Sequence, residues 1–181
     1  HFSQKGELLA GTYCNSPKQG LIYFNLKKLD LNTFNIDLKK AKYGIICSAI
    51  SNIDHCKRNI EESYKINVLG NKKLIRQLWS KSITPVFFSS EAVFDGKKGD
   101  YIESDERNPC NVYGSHKKII EDFLIKSEKS YLVIRLSKIF GNKKGDGTLL
   151  TSWLNQLIAD KEILCAKDQI FCPTFIGDLI N

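Results

Sequence analysis

Apolar residues along this chain alternate between two patterns. Short continuous runs at 8–13, 21–24, 44–49, 86–88 and 131–136 have the length and the β-branched or aromatic content of buried strands. Between them lie stretches of helical period. Residues 31–42 predict a short helix, and 59–81 predict a long one with Ile60, Tyr64, Val68, Ile75 and Leu78 on one face and Asn67 interrupting it. A third helix starts near Val112 and turns Ile119, Ile120, Phe123 and Leu124 to one side. A fourth, 149–160, has Trp153, Leu154, Leu157 and Ile158 as its apolar face, and residues 1–6 read as a helix end closed by Gly6. Strand and helix in alternation predict an α/β fold around a doubly wound parallel sheet. No internal repeat or low-complexity block interrupts it.

The strand 86–88 runs into two hydroxyl residues, Ser89 and Ser90, and the helix that follows carries Tyr113 and Lys117 near its start. Four positions apart on a helix, a phenol and an ammonium leave the same face about 5–6 Å apart at Cβ. An alcohol at a strand tip, a phenol and an ammonium suit the reduction of a carbonyl. Tyr113 donates a proton to the substrate oxygen, Ser90 holds the developing oxyanion, and the hydride comes from a nicotinamide cofactor. The lysine is expected to favour the phenolate and so to bring the tyrosine down from about 10 toward neutrality. Tyr23 and Lys27 have the same spacing, but on a strand four residues span about 13 Å and the pair cannot converge.

Composition narrows the field. The chain has 181 residues, 42% hydrophobic and 26% charged, which is ordinary for a globular protein with one good core. Its formal charge of +7 comes from lysines scattered over nearly every predicted helix and loop, which argues for a solvated surface and against a nucleic-acid face. No run approaches a membrane span, and no signal-peptide pattern opens the chain. The six cysteines form no Cys-x-x-Cys pair and no spaced set with the three histidines, so no metal site is expected and the thiols suit a reduced, cytoplasmic protein. The segment 141–148 is glycine-rich but lacks the lysine directly after its second glycine that a phosphate loop needs, and reads as a flexible loop.

Taken together, Ser89-Ser90-Glu91-Ala92-Val93-Phe94-Asp95-Gly96, then Tyr101, Glu103, Asp105 and Pro109, then Asn111-Val112-Tyr113-Gly114-Ser115-His116-Lys117 resemble the extended short-chain dehydrogenase/reductase superfamily. Within it the likeness is to the dTDP-4-dehydrorhamnose reductase group, with its Ser-Thr-Asp-Tyr-Val-Phe-Asp-Gly and Asn-x-Tyr-Gly-x-Ser-Lys segments. It extends to Asn67-Val68-Leu69-Gly70, Arg135-Leu136-Ser137 and Pro173-Thr174-Phe175.

The resemblance implies that Asn67 joins Ser90, Tyr113 and Lys117 in the catalytic set. It implies that Ser48, Ala49 and Ile50 run beneath the cofactor, and that Tyr113, Lys117, Leu136 and Ile139 contact it. It also implies that Ser90, Glu91, Tyr113 and Lys138 face a nucleotide-sugar substrate. A tightly packed strand end accounts for the small residues at 48–50 equally well, and a surface or backbone-bonding amide is the alternative at Asn67. Ala92 and Lys138 stand where the group commonly has aromatic residues, which leaves the nucleotide-sugar class better supported than any one sugar.

In the doubly wound fold the first strand and a glycine-rich turn grip the pyrophosphate, and the order 3-2-1-4-5-6 puts that strand in mid-sheet. This chain carries neither, so it reads as a fragment, inactive by itself, with either a gap in the sheet or rearranged pairing. A complete small domain that never had the turn is the alternative. Residues 1–148 are then the nucleotide-binding part and 149–181 the start of a substrate domain. After the strand at 8–13, the segment 12–18 offers hydroxyls, an amide and a lysine but no carboxylate for a ribose 2′-hydroxyl, which favours NADP, with NAD the alternative. Three functions remain open: a 4-keto nucleotide-sugar reductase, an epimerase or dehydratase using the same triad, and a regulatory subunit like that of methionine adenosyltransferase. A homodimer is compatible with each.

Overall fold

The computed structural model describes residue 6 and residues 10–28, 30–33, 37–141, 143, 147–168 and 170–180. In chain order the elements are β1 (Thr12–Tyr13), β2 (Ile22–Tyr23), β3 (Tyr43–Ile46), α1 (Ile53–Arg58), α2 (Ile60–Tyr64), α3 (Asn71–Ser80), β4 (Thr84–Ser90), α4 (Val112–Ile125), β5 (Leu132–Leu136), β6 (Ile139–Phe140), α5 (Leu149–Ile158), β7 (Thr174–Phe175) and α6 (Ile176–Ile180). A π-turn at Lys65–Gly70 joins α2 to α3, and 3₁₀ turns lie at Leu31–Thr33 and Glu91–Val93. The chain divides into two compact units, His1–Arg135 and Leu136–Asn181.

In the first unit β3, β4 and β5 form one sheet in that order, with β3 parallel to β4 in the register Tyr43↔Thr84 to Ile46↔Phe87. β1 and β2 pair in parallel as a separate ladder. This is an α/β arrangement of doubly wound type, and of the two expectations for its sheet the described residues follow the break, with no pairing of β1 onto β3 among them. The apolar run of β4 explains its central place. Val86 and Phe87 are buried, and α3 and α4 share one core above the strand through Ile75, Leu78, Phe87, Ile120 and Leu124. Truncating a side chain such as Phe87 in a core of this kind costs about 3–5 kcal/mol.

Several expected elements are shorter than their sequence pattern. The strand expected at 8–13 is present only as Thr12–Tyr13, with 7–9 outside the described residues, and 44–49 becomes Tyr43–Ile46. The helix expected at 31–42 is corrected to a single 3₁₀ turn, Leu31–Thr33, with 34–36 outside the described residues and 37–42 not helical. Side chains compete with the helix there: Asp30 Oδ1 accepts from Asn32 N at 2.8 Å, and Asp37 Oδ1 accepts from Lys39 N at 3.0 Å. The helix at 59–81 is present as α2, the π-turn and α3. It is preceded by α1, which the apolar pattern did not mark although Asn52 caps it by accepting from His55 N at 2.7 Å.

The second unit pairs β6 in parallel with β7, and Thr174 N donates to Lys138 O at 2.9 Å. α5 falls where the periodicity put it, but Leu154, Leu157 and Ile158 are exposed. The helix end at 1–5 and most of the glycine-rich loop, at 142 and 144–146, lie outside the described residues.

One glycine governs how α4 meets the end of β4. A Cβ on Gly114 would run into the backbone carbonyl of Ala92 and sit 3.0 Å from Pro109 Cβ. A Gly114→Ala variant is expected to lose about 1–3 kcal/mol of stability in a denaturant or thermal titration, the range for forcing atoms into a packed site. Unchanged stability would contradict this packing.

Candidate active site

β4 leaves the sheet at Ser89, which is buried, and Ser90, which is half-buried. Ser90 is still extended, at φ −149° and ψ 152°, and its Oγ accepts from Ala92 N at 3.2 Å, so it caps the 3₁₀ turn that follows. α4 begins with a similar device: Asn111 Oδ1 accepts from Gly114 N at 2.8 Å. The cap fixes the first turn, Gly114 lets that turn close on Ala92, and Tyr113 and Lys117 face the strand tip.

Lys117 is 5% exposed. Its Nζ donates to Phe88 O at 2.6 Å and lies 4.6 Å from the Phe87 ring centroid and 5.5 Å from that of Tyr113. Burial drives its pKa down from 10.5 to about 8, and the nearby Cys47 and Glu121 oppose the fall. Tyr113 moves the other way from the expectation. Its pKa is raised, first by burial and then by the Cys56 thiol nearby, while the Ser90 hydroxyl acts as a hydrogen-bond partner that lowers it. The expected acidification by the lysine is therefore corrected: the ammonium is engaged with the Phe88 carbonyl, is itself disfavoured by burial, and contributes no resolved pull on the phenol. Ser90, Tyr113 and Lys117 are nonetheless brought to one place, with the phenol held in its protonated form at neutral pH.

Asn67 lies in the π-turn, 2% exposed. Its Oδ1 accepts from Ile50 N at 2.8 Å and its Nδ2 donates to Ile50 O at 2.9 Å, so one amide grips both backbone groups of one residue. Asn71, one turn later and 1% exposed, donates from Nδ2 to Ser48 O at 3.3 Å and to Asn67 O at 3.1 Å. Of the two alternatives at Asn67, the backbone-bonding amide describes its contacts. The segment after β3 is thus held by two buried amides, with Ser48 exposed and Ala49 and Ile50 half-buried. Asn71 was not singled out in the sequence, although its spacing from Asn67 along a helix was the available signal.

Glu91 is exposed in the turn after Ser90. Leu136, Lys138 and Ile139 belong to the second unit, at the end of β5, in the link and in β6. The Lys27 ammonium pairs with Glu62 at 2.6 Å, so the Tyr23 pair forms no second site. Glu121, one turn beyond Lys117, was also missed. It is 1% exposed and binds Arg107 and Arg135. All six cysteines are free, and among the described residues no group of three or more histidine, cysteine or acidic side chains is placed to hold a metal ion. Among those residues, no helix is long and apolar enough to cross a membrane.

A parallel α/β sheet with a serine at the tip of a central strand and a Tyr-x-x-x-Lys helix against it is the architecture of the short-chain dehydrogenase/reductase class. Comparison with known proteins narrows this: the family described as RmlD substrate binding domain matches residues 24–181, and the chain belongs to it. The dTDP-4-dehydrorhamnose reductase of Mycolicibacterium smegmatis is 27% identical over 140 residues, covering 76% of this chain and 42% of that protein. Methionine adenosyltransferase 2 subunit beta of Danio rerio is 28% identical over 135 residues, covering 74% and 41%. The solved dTDP-4-dehydrorhamnose reductase of Bacillus anthracis, in complex with NADP, superposes with a TM-score of 0.69 at 26% identity, covering 75% of this chain and 48% of that one. The chain thus spans somewhat less than half the length of the curated relatives named here.

The buried lysine has a sign that can be tested. Between about pH 8, where folded Lys117 releases its proton, and 10.5, where the unfolded chain does, the unfolded state binds more protons. Stability contributed through this group therefore rises with pH across that window, by about 3 kcal/mol in all. The stability of Lys117→Met relative to the parent chain, followed by denaturant titration, is expected to fall as pH rises from 8 to 10. Parallel profiles would contradict the buried placement.

Proposed function

We propose that this chain is the cofactor-binding and catalytic part of an NADPH-dependent reductase of a 4-keto nucleotide sugar. The observation that carries the reading is the buried face of α4, which sets Tyr113 and Lys117 against the Ser90 tip of β4 in a chain of this family. The donor set suits a dinucleotide. Lys117 has three N–H donors, of which Phe88 takes one. Those left over, with the phenol and the exposed Ser48, match the hydroxyls of a nicotinamide ribose. Ser48, Ala49 and Ile50 of the first unit are the residues that would line it. When bound, NADPH supplies the hydride that reaches the carbonyl carbon.

Tyr113 hands its proton to the carbonyl oxygen, and Ser90 donates a hydrogen bond to that oxygen as charge develops on it. Burial supports the role by keeping the phenol protonated until the oxygen becomes basic. Lys117, whose pKa burial draws down to about 8, returns a proton to the phenolate. Asn67 acts on the chemistry at one remove, through its grip on Ile50. Glu91, exposed in the turn after Ser90, would face the sugar. The absence of a carboxylate at 12–18 favours NADP over NAD, and the NADP bound to the Bacillus anthracis relative supports that choice. The protein works in a reduced compartment, the cytoplasm, and a homodimer is the assembly we expect.

One observation favours a second reading. The similarity to methionine adenosyltransferase 2 subunit beta supports a regulatory subunit that keeps this fold to bind an enzyme. The test uses the whole protein that carries this chain, with NADPH oxidation followed in the presence of dTDP-4-dehydrorhamnose. We expect turnover, and a loss in kcat of about 10²–10⁴-fold in Tyr113→Phe, the usual contribution of a positioned general acid. Sugar interconversion without net NADPH oxidation would replace the reductase by an epimerase. An inert protein that binds a methionine adenosyltransferase would replace it by the regulatory subunit.

A further inference from the structure

Glu121 is the most deeply buried charged side chain among the described residues, and it joins three parts of the first unit. Arg135, from β5, donates from Nε to Oε1 at 3.1 Å and from Nη2 to Oε2 at 2.7 Å. Arg107, from the loop that leads into α4, donates from Nη1 to Oε2 at 3.0 Å. Each arginine carries the connection further. Arg107 pairs with Asp122 at 2.8 Å, and Arg135 donates to Glu103 O at 3.1 Å and lies 5.0 Å from the Phe94 ring. Glu121 is one helical turn from Lys117 and two from Tyr113, on the same side of α4.

We infer that Glu121 is a positioning residue of the Ser90, Tyr113 and Lys117 site: through Arg107 and Arg135 it locks the 94–107 loop and β5 against the face of α4 that carries the phenol and the ammonium. The loop leaves the strand tip just after Ser90 and returns to the chain just before Tyr113. A clamp on its middle therefore sets the spacing of the two ends. A buried carboxylate is a strong clamp only while its charge is paired, because removing one partner leaves an uncompensated ion in the interior. The arginines supply that pairing: burial alone would raise the Glu121 carboxyl, and the hydrogen bonds of Arg135, Ser89 and Arg107 with the charge of Arg135 outweigh it and hold the pKa below the usual range. Glu121 also acts on Lys117 by charge. The groups that bear on the ammonium are Glu121 and Tyr113 from α4, Cys47 from the end of β3, and from β4 the Phe88 carbonyl and the Phe87 ring. Among these Glu121 is the fixed anion, and its field keeps the lysine protonated higher on the pH scale than burial alone would.

The inference deepens the proposed reductase and takes its meaning from it, but the test needs no turnover, so the two can fail separately. The chain is labelled with ¹³C at lysine Cε, and the Lys117 resonance is assigned by its loss in Lys117→Met. In the parent chain its titration midpoint is expected near 8. In Glu121→Gln, with circular dichroism unchanged, the midpoint is expected to move to lower pH, and Glu121→Asp, which keeps the charge, is expected to restore it toward the parent value. An unmoved or raised midpoint in a folded Glu121→Gln chain would overturn the proposal. Should Glu121→Gln fail to fold, Arg107→Ala leaves the carboxylate paired with Arg135 and reads the clamp by hydrogen exchange. Faster exchange in both the 94–107 loop and the first turn of α4 is the expected result. Faster exchange confined to the loop, or none, would overturn it.

Discussion

A lysine ammonium held under a helix against a strand carbonyl is the contact on which the rest of this structure turns. Lys117 reaches Phe88 O at 2.6 Å from a position only 5% exposed. An ion so placed is disfavoured by several kcal/mol unless its hydrogen bonds are made. The carbonyl supplies one such bond, the Phe87 and Tyr113 faces supply cation–π contacts, and Glu121 supplies opposite charge one turn away. These interactions fix α4 in rotation and height relative to β4. Gly114 and the Asn111 cap then decide how closely its first turn approaches the strand tip. The position of the Tyr113 phenol beside Ser90 follows from these constraints.

The other wall of the candidate site has a different origin. The helix after α1 opens into a π-turn at Lys65–Gly70, and such widened turns are often found at functional sites because they re-aim side chains at a small cost in backbone bonding. Here the re-aimed side chains are two buried amides. Asn67 pairs with both backbone groups of Ile50, and Asn71 with Ser48 O, so a stretch past the end of β3, outside any ladder, has its backbone groups met by side chains. An asparagine that binds backbone in this way positions a loop, and its influence on a reaction passes through that loop.

Some of this arrangement was legible in the sequence. The strand tip, α4 and the Tyr113 and Lys117 pair could be read because the hydrophobic period and the four-residue spacing are local properties. Asn67 announced itself as a polar interruption at a helical core position. The Glu121 cluster could not be read that way, since its arginines lie fourteen positions to either side and meet it only through the fold. Nor could the direction of the Tyr113 shift, which depends on burial and on where the Lys117 hydrogen bond goes. The stretch 31–42 shows the opposite error. Its apolar spacing suits a helix, but Asp30 and Asp37 satisfy nearby backbone N–H groups themselves, and only a 3₁₀ turn forms among the described residues.

In the proposed reaction the strand-tip hydroxyl of Ser90 and the phenol of Tyr113 act on one oxygen atom. A double-mutant cycle tests this most directly, with kcat/KM for NADPH-dependent reduction measured for the whole protein, for Ser90→Ala, for Tyr113→Phe and for the double variant. Groups that work as a unit are strongly non-additive, so the double variant is predicted to lose little more than the worse single variant. Losses that multiply, as they do for independent sites, would contradict the account.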